Sequence, residues 1–402
     1  MQKAVKGELD RCIKCGICTA NCPVANNSEA FSGPKHMGPE LTRFSLDKKN
    51  SLEEQVDYCC NCRSCELACP SGVKVSLLNA CYKSEWKAGR EKGSLRDNML
   101  GRPELLAKLG SFHVGLTNFI LGQQLTKSTL EKTLAISKHR SFPTYREESF
   151  DRWFRKRKPF TSDKKVVYFA GCYTNYNQPE VGRSVVQILE RNGYQVIVPE
   201  QNCCGLPLVG NGYLDAAQEK AEKNLNSFLP YVSDGYKVIA SCTSCGLTLK
   251  SDYEELFGLD NAKVFAANVY DFSEFLLELK EQGQLDTRFK PLPLKLAYHT
   301  PCHLKAQGIG QPSLDVLRMI PGLEVVDLDQ GCCGLSGSYG FKKEKYAVSM
   351  NIGQNLFNKM REFNPDYGVT DCGGCGLQIS HGTGKEVLHP AVLVAKAYNY
   401  DD

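Results

Sequence analysis

The 402-residue sequence has no apolar run near the length of about 18 residues that a membrane-spanning helix needs. We therefore expect any membrane contact to be peripheral or to be made through a partner. No glycine-rich phosphate loop or dinucleotide fingerprint follows a predicted strand, which argues against flavin or nicotinamide binding by this chain. Residues 1–10 lack the apolar stretch of a secretion signal, so a reducing, cytoplasmic compartment is expected.

The sequence also lacks an excess of charge of either sign, with 49 Lys and Arg residues against 45 Asp and Glu residues. This near balance argues against nucleic acid as the main partner. Cysteine, by contrast, is abundant at 20 residues. Clustered cysteines in a reducing compartment indicate metal binding or redox chemistry, and the chain length suggests two or three domains.

Two cysteine runs of identical spacing occupy the first part of the chain. Each run is C-x2-C-x2-C-x3-C-P, in which three close thiolates bind one cubane [4Fe-4S] cluster and the fourth cysteine ligates the other cluster. The spacing assigns the first cluster to Cys12, Cys15, Cys18 and Cys69. It assigns the second cluster to Cys59, Cys62, Cys65 and Cys22. A zinc site is the alternative, and Cys60 and Cys81, which lie outside the spacing, are expected to be buried spectators.

The other cysteines form an internal repeat, in which a lone cysteine precedes a Cys-Cys-Gly turn and a Cys-x-x-Cys pair follows it. The first copy comprises Cys172, Cys203, Cys204, Cys242 and Cys245. The second copy comprises Cys302, Cys332, Cys333, Cys372 and Cys375. Adjacent cysteines are poor disulfide partners but good thiolate neighbours for a soft metal centre, which favours iron and sulfur. A zinc site or an ordinary four-thiolate cubane is the alternative for each copy.

The pattern around the repeat predicts alternating strands and helices. Predicted strands cover residues 165–170, 194–198, 236–240, 294–298, 323–327 and 367–370, and predicted helices include residues 180–192 and 214–229. Each cysteine group follows a strand, which places the thiols at the carboxyl ends of a parallel sheet. The predicted fold is an α+β, ferredoxin-like helical module with two clusters, followed by a duplicated α/β Cys-Cys-Gly domain with parallel sheets. The expected boundaries are 1–100, 101–160 (a helical linker), 161–285 and 286–402.

Three segments outside the cysteine groups allow two interpretations each. Apolar residues recur every three or four positions over residues 103–121, which predicts one amphipathic helix that either contacts a membrane or partner or packs the ferredoxin module onto the rest of the chain. The basic stretch 150–160 either contacts anionic lipid or is a solvated linker. Lys342, Lys343 and Lys345 either receive an anionic partner surface or begin an exposed helix.

These motifs together resemble the family of Cys-Cys-Gly-domain iron-sulfur subunits found in anaerobic sn-glycerol-3-phosphate dehydrogenase, glycolate oxidase and heterodisulfide reductase. The stretches most similar to the glycerol-3-phosphate members are residues 151–154, 173–179, 299–303, 332–345 and 369–372. The resemblance implies that each complete set of five cysteines binds a noncubane [4Fe-4S] cluster. One or two such clusters are therefore expected in addition to two cubane clusters.

The resemblance also implies an electron-transfer subunit of an oxidoreductase, peripheral to the inner face of the cell membrane. It would take electrons from an FAD-containing dehydrogenase subunit that oxidises sn-glycerol 3-phosphate in anaerobic growth, and pass them to menaquinone. The alternatives are a catalytic heterodisulfide or thiol reductase subunit, an iron-sulfur subunit of a glycolate or lactate oxidising complex, and a zinc-holding scaffold. His299 and His303 flank Cys302 and are candidates for tuning a cluster, relaying a proton or capping local backbone.

Overall fold

The N-terminal part of the chain consists of short helices that follow the cysteine runs. The computed structural model describes residues 10–41, 51–88 and 94–400. The helices of this part are Ile17–Ala20, Ser64–Leu67, Val75–Ala88 and Leu95–Leu100, with a π-helical turn at His36–Glu40 and a 3-10 helix at Ser51–Tyr58.

The two cysteine runs turn in the same way. Lys14 and Gly16 in the first run, and Asn61 and Arg63 at the equivalent positions of the second, have positive φ values between 55° and 83°. Alternating right-handed and left-handed residues aim successive backbone amides at one point, as in the concave nests that bind anions and iron-sulfur centres. The turns therefore shape both runs for an anionic group.

Two four-stranded parallel sheets follow, and together with the helical N-terminal part they confirm the predicted fold class. The first sheet has the order β2-β1-β3-β4, from β1 Lys165–Phe169, β2 Gln195–Ile197, β3 Lys237–Ala240 and β4 Val269–Asp271. The second has the order β6-β5-β7-β8, from β5 Lys295–Tyr298, β6 Glu324–Asp327, β7 Tyr367–Val369 and β8 Val387–Leu388. Strands β4 and β8 were not predicted, because two or three residues are too short to show a pattern.

The strand order explains where the cysteines lie. In each sheet the chain reverses its direction of winding between the two central strands, β1 and β3 in the first repeat and β5 and β7 in the second. A crevice forms outside the carboxyl ends of the strands at such a point. The cysteines that follow these strands are thereby gathered at one edge of each sheet.

Helices connect the strands, and the predicted helices 180–192 and 214–229 are found within a few residues of their expected ends. In the first repeat they are Cys172–Tyr176, Pro179–Arg191, Leu206–Gly210, Leu214–Ser233, Thr243–Leu247, Tyr253–Glu255, Ala262–Ala266 and Phe272–Glu281, with a π-helical turn at Thr248–Asp252. In the second they are Cys302–Lys305, Pro312–Leu317, Lys343–Phe363, Gly373–Thr383 and Pro390–Ala397, with a 3-10 turn at Tyr339–Phe341. Asp271 and Glu274 form a capping box at the start of Phe272–Glu281, which fixes that boundary.

The two repeats share a core. Helix Pro179–Arg191 of the first repeat packs against Pro390–Ala397 of the second, and Phe272–Glu281 packs against Pro312–Leu317. Buried side chains of both repeats, such as Leu189 and Leu393, belong to one continuous apolar cluster. Each contact joins the helix that follows the first strand of one repeat to the helix that follows the last strand of the other. The two repeats are therefore arranged about an approximate two-fold axis.

The linker contradicts the prediction of a single amphipathic helix over residues 103–121. It contains two helices, Pro103–Gly110 and Val114–Gly122, that meet at a bend of 114° and are followed by Gln124–Leu134. Gly110 lies against the Tyr145 ring, and a Cβ at Gly110 would come within 2.5 Å of it, so the first helix ends where only glycine fits. Within the described ranges no single helix has the length and hydropathy to cross a membrane, although this bent pair reaches the threshold when taken together.

Candidate iron-sulfur sites

The first group of thiols, called ferredoxin site 1, comprises Cys12, Cys15, Cys18 and Cys69, and the structure brings these four together. They line one small cavity of about 20 Å³. Burial raises the pKa of Cys18, and the nearby sulfurs of Cys12 and Cys69 raise it further. Cys15 is exposed. Cys69 of the second run therefore completes the site formed by the first run, as predicted from the spacing. The exposed Cys15 shows that this site reaches the protein surface.

Ferredoxin site 2 comprises Cys22, Cys59, Cys62 and Cys65, and it lies deeper in the protein. Burial raises the pKa of Cys22 to about 12, and the sulfurs of Cys62 and Cys59 add to this effect. Burial, Glu66, Cys62 and Cys59 raise the pKa of Cys65, and the sulfur of Cys22 also raises it, although less. The helices that carry the two sites, Ile17–Ala20 and Ser64–Leu67, pack against each other.

The first Cys-Cys-Gly site follows strands β1 and β3. The Sγ atoms of Cys172 and Cys203 are 3.8 Å apart. The thiols of Cys204, Cys245 and Cys242 lie close by, since Cys203 and Cys204, Cys204 and Cys245, and Cys245 and Cys242 shift one another's pKa. All five predicted cysteines of the first copy therefore meet at the carboxyl edge of the first sheet.

The second Cys-Cys-Gly site repeats this arrangement. The Sγ atoms of Cys333 and Cys375 are 3.2 Å apart. Cys302 and Cys333 both shift the pKa of Cys332, and Cys375 shifts that of Cys372. Hydrogen bonds from Cys332 and then Cys375 lower the pKa of the Cys333 thiol. A lowered pKa favours the thiolate form that binds metal.

The four groups follow one another in space. The helices that carry ferredoxin sites 1 and 2 pack against each other. The thiols of Cys62 in ferredoxin site 2 and Cys332 in the second Cys-Cys-Gly site lie close enough to shift each other's pKa. The same is true of Cys372 of that site and Cys242 of the first Cys-Cys-Gly site, and the Ser244 hydroxyl lies 3.8 Å from the Cys372 sulfur. The order along this series is ferredoxin site 1, ferredoxin site 2, second Cys-Cys-Gly site, first Cys-Cys-Gly site.

Cys60 is a functional candidate that the spacing rule missed. It is buried, as predicted, and its thiol is close enough to those of Cys62 and Cys332 to be coupled to their pKa values, so it lies where ferredoxin site 2 meets the second Cys-Cys-Gly site. The adjacent pair Cys59-Cys60 was the sequence signal for this position, because the side chains of neighbouring residues point in different directions and can reach different sites.

His303 joins three parts of the chain. Its Nδ1 lies 2.9 Å from the Ser244 hydroxyl, and its Nε2 lies 2.9 Å from the carbonyl oxygen of Asn61. The carbonyl accepts from Nε2–H, and Nδ1 faces the hydroxyl. His303 thus caps backbone between ferredoxin site 2 and the first repeat.

His299 differs from His303. Its ring is fully buried. One ring nitrogen of His299 and the Sγ atoms of Cys333 and Cys375 all lie within 4.8 Å of one another. The structure therefore places His299 inside the second Cys-Cys-Gly site.

Two of the three lysines after the second Cys-Cys-Gly turn point into the protein, whereas Lys343 is exposed and lies 3.5 Å from Glu131. Lys342 and Lys345 are buried, and their Nζ atoms approach the carboxylate of Asp57, with Lys342 also 2.9 Å from Asp97. The expectation of an exposed helix start is therefore wrong for these two. They connect the second repeat to the N-terminal part.

The linker exposes its apolar residues. Five large side chains, defined here as the apolar patch, are largely exposed, and Phe112 is exposed over 83% of its surface: Leu105, Leu109, Phe112, Leu116 and Phe119. These side chains leave an apolar surface open on the linker, while helix Pro103–Gly110 itself packs against helix Cys172–Tyr176 of the first repeat. In the basic stretch, Lys156 pairs with Glu148 and Arg157 with Glu190.

The donor chemistry of the four sites fits iron-sulfur clusters. The ligands are grouped thiols, mostly buried, and backbone amides donate to several of the sulfurs. These bonds run from Ala25 to Cys22 at 3.5 Å, from Val73 to Cys69 at 3.3 Å and from Gly334 to Cys332 at 3.4 Å. Hydrogen bonds of this kind set the reduction potentials of such clusters.

Comparison with known proteins agrees with this arrangement. A 4Fe-4S dicluster domain matches residues 8–73, and a cysteine-rich domain matches residues 166–250 and 296–380. The chain is 36% identical to the C subunit of anaerobic glycerol-3-phosphate dehydrogenase from Escherichia coli (strain K12), over 97% of this chain and 98% of that protein. It is 26% identical to the glycolate oxidase iron-sulfur subunit of the same organism, over 97% and 94% of the two chains.

A third relative comes from an archaeon. The chain is 25% identical to the D subunit of dihydromethanophenazine:CoB--CoM heterodisulfide reductase from Methanosarcina barkeri, over 96% of this chain and 91% of that protein. All three relatives are subunits of larger complexes, so partner subunits are implied for this chain. The chain belongs to the family of the anaerobic glycerol-3-phosphate dehydrogenase C subunits and is an iron-sulfur subunit of a dehydrogenase or reductase complex.

Proposed function

We propose that this chain carries electrons from an FAD-containing subunit that oxidises sn-glycerol 3-phosphate to dihydroxyacetone phosphate, and delivers them to menaquinone at the inner face of the cell membrane. The 36% identity to one subunit of a glycerol-3-phosphate dehydrogenase over nearly the whole chain supports this substrate. Iron-sulfur clusters at the four sites would supply one-electron oxidation and reduction. We assign cubane [4Fe-4S] clusters to the ferredoxin sites and noncubane [4Fe-4S] clusters to the two Cys-Cys-Gly sites.

The observation that carries the proposal is the close approach of successive thiol groups. Cys62 lies near Cys332, and Cys372 lies near Cys242, so the last three groups of the series neighbour one another. Separate structural zinc sites have no need for mutual contact, whereas electron transfer between centres requires them to be close. The series therefore favours a relay over a scaffold.

We assign the flavoprotein to the exposed end of the series. Around ferredoxin site 1 the side chains of Ile13, Ile17 and Leu67 are exposed by 66%, 41% and 53%. Ile13 also lines the cavity of the site. Apolar residues around an exposed redox centre suit a partner that must bring its own centre close.

Replacing Ile13 with glutamate should slow reduction of the chain by its flavoprotein about tenfold or more, because a carboxylate would lose water in the interface without a partner. Stopped-flow absorbance of the assembled complex after substrate addition measures this rate. Val264→Glu, at an exposed apolar residue of the first repeat, is the matched control and should leave the rate unchanged. Equal rates for both variants would place the flavoprotein elsewhere.

We assign the membrane contact to the other end of the series, beside the first Cys-Cys-Gly site. Helix Pro103–Gly110, which bears part of the apolar patch, packs against the helix that begins at Cys172. Its Glu104 accepts a hydrogen bond from the backbone amide of Cys203 at 3.0 Å. The first Cys-Cys-Gly site is therefore the thiol group next to the apolar patch, which suits delivery of electrons to a lipid-soluble quinone.

Replacing both Phe112 and Phe119 with serine should weaken binding to lipid vesicles by about a hundredfold. Burial of one phenylalanine contributes roughly 1.5–3 kcal/mol, and about 1.4 kcal/mol corresponds to a tenfold change in affinity. Co-sedimentation of the assembled complex with phosphatidylglycerol and phosphatidylethanolamine vesicles measures the effect. Val264→Ser, at an exposed apolar residue of the first repeat outside both the patch and the basic stretch, is the control. Unchanged vesicle binding with loss of a co-purifying protein would assign the patch to a protein partner.

The proposed function is tested by purifying the chain anaerobically with its partners and adding one candidate donor at a time. Bleaching of cluster absorption by glycerol 3-phosphate, with a flavoprotein present, is the expected result. Bleaching by glycolate or lactate alone would keep the relay and replace the substrate. Bleaching by a dithiol without any flavoprotein would instead favour the thiol reductase, and zinc without acid-labile sulfide would leave only the scaffold.

A further inference from the structure

The two repeats differ at one buried ring beside the thiols. In the first repeat the sequence runs Phe169-Ala-Gly-Cys172, and in the second it runs His299-Thr-Pro-Cys302. Phe169 and His299 therefore occupy equivalent positions, three residues before the lone cysteine of each copy. Both rings are buried, Phe169 to 1% and His299 to 0% exposure.

His299 has no conventional partner for either ring nitrogen. Among the described residues, no oxygen or nitrogen atom forms a hydrogen bond with its Nδ1 or Nε2. The polar atoms that the ring does approach are the sulfurs of Cys333 and Cys375. A buried polar group without a partner is costly, so the native site is expected to supply one.

The other buried histidines use both of their nitrogens. His303 contacts Ser244 and Asn61, and His389 contacts the carbonyl oxygen of Ser241 at 2.8 Å and the amide of Ala391 at 3.1 Å. His389 thereby caps the last helix. His299 alone among these three is left with metal-ligating atoms as its neighbours.

We propose that an imidazole nitrogen of His299 ligates iron in the cluster of the second Cys-Cys-Gly site, next to Cys333 and Cys375. This inference rests on the proposed cofactor content of that site. The first Cys-Cys-Gly site has no such ligand, because Phe169 occupies the equivalent position. The two sites are therefore chemically unequal despite their matching cysteines, since the second offers an imidazole nitrogen where the first has an apolar ring.

The test compares nitrogen signals in the purified holo-complex, independently of its activity. The complex is prepared with histidine carrying either ¹⁴N or ¹⁵N, poised electrochemically so that the second site is paramagnetic, and measured by pulsed electron paramagnetic resonance. A strong hyperfine coupling that changes with the isotope is expected. His299→Phe, which copies the first repeat, should lose the coupling, and His303→Gln should keep it.

His299→Cys keeps a ligand but exchanges a neutral nitrogen for a thiolate, so it should lose the coupling and shift the potential of the second site downward. A full count of iron and sulfide with no histidine coupling in the native complex, or with coupling that persists in His299→Phe, would overturn the ligand assignment alone. Iron and sulfide too low to fill the second site would instead refute the proposed cofactor content, and this inference with it. The isotope comparison on the native complex needs no variant to fold.

Discussion

Replacing Cys22 with serine is expected to abolish the cluster of ferredoxin site 2 and to leave that of ferredoxin site 1 in place, although Cys22 belongs to the first cysteine run. Cys22 lies among the thiols of Cys59, Cys62 and Cys65, which share its buried environment. A serine hydroxyl is a poor ligand for iron in a site built from soft thiolates. Iron content should fall by about four atoms per chain, the content of one [4Fe-4S] cluster.

Cys69→Ser is the reciprocal variant, and it should remove the cluster of ferredoxin site 1 only, because Cys69 lines the cavity of that site. Cys81→Ser replaces a buried cysteine outside the spacing and should change neither cluster. Iron analysis and electron paramagnetic resonance of the reduced protein distinguish the two sites. If Cys22→Ser removed the signal that Cys15→Ser also removes, each run would bind its own four-cysteine cluster and the crossed assignment would be wrong.

Replacing Asp57 with asparagine is expected to lower the free energy of unfolding by about 3–5 kcal/mol, the usual cost of removing one partner of a buried ion pair. Burial raises the pKa of the Asp57 carboxyl, but Lys345, Lys83 and Lys342 outweigh it and hold the pKa well below its usual range. The Nζ atoms of Lys83 and Lys342 lie 3.9 Å and 3.8 Å from the carboxylate. Without this charge, buried cations from both parts of the chain lose their shared counter-ion.

The denaturant midpoint of cluster release, measured anaerobically, reports this loss of stability. Asp315→Asn, at a largely exposed carboxylate that pairs with Arg318 at 3.6 Å, is the matched control and should cost about 1 kcal/mol or less. Because the folded pKa of Asp57 is depressed, its contribution is complete above the unfolded value near pH 4 and is lost as the pH falls toward the folded value. The difference between the native chain and Asp57→Asn should therefore shrink as the pH falls below about 4. Midpoints shifted no further than in Asp315→Asn would contradict the role assigned to this carboxylate.

The sequence was sufficient to predict the fold class, because its signals are local. The C-x2-C-x2-C-x3-C spacing needs only a few turns of backbone, and the strands before Cys172 and Cys302 are short buried runs with clear ends. The repeat doubled each of these signals, so the second sheet could be predicted from the first. The boundaries differed by a few residues, as for the helix that ends at Ser233 rather than at residue 229.

The contacts between the sites could not be predicted, because they depend on how the parts pack. Cys60 and Cys332 are far apart in the chain, and only the docking of the N-terminal part on the second repeat brings them together. The same docking buries Lys345, whose neighbours in sequence resemble an exposed helix start. The bend after Gly110 depends on Tyr145, a residue outside the predicted helix.

The most direct test of the relay begins with the assembled complex after glycerol 3-phosphate has reduced it under anaerobic conditions. Vesicles containing menaquinone are mixed in rapidly, and cluster absorption is followed alongside a parallel sample that receives a disulfide instead. The relay predicts reoxidation by menaquinone at least as fast as steady-state turnover, and none by the disulfide. Clusters that stay reduced with menaquinone but reoxidise with the disulfide would contradict the relay and make the Cys-Cys-Gly sites themselves the catalytic centre.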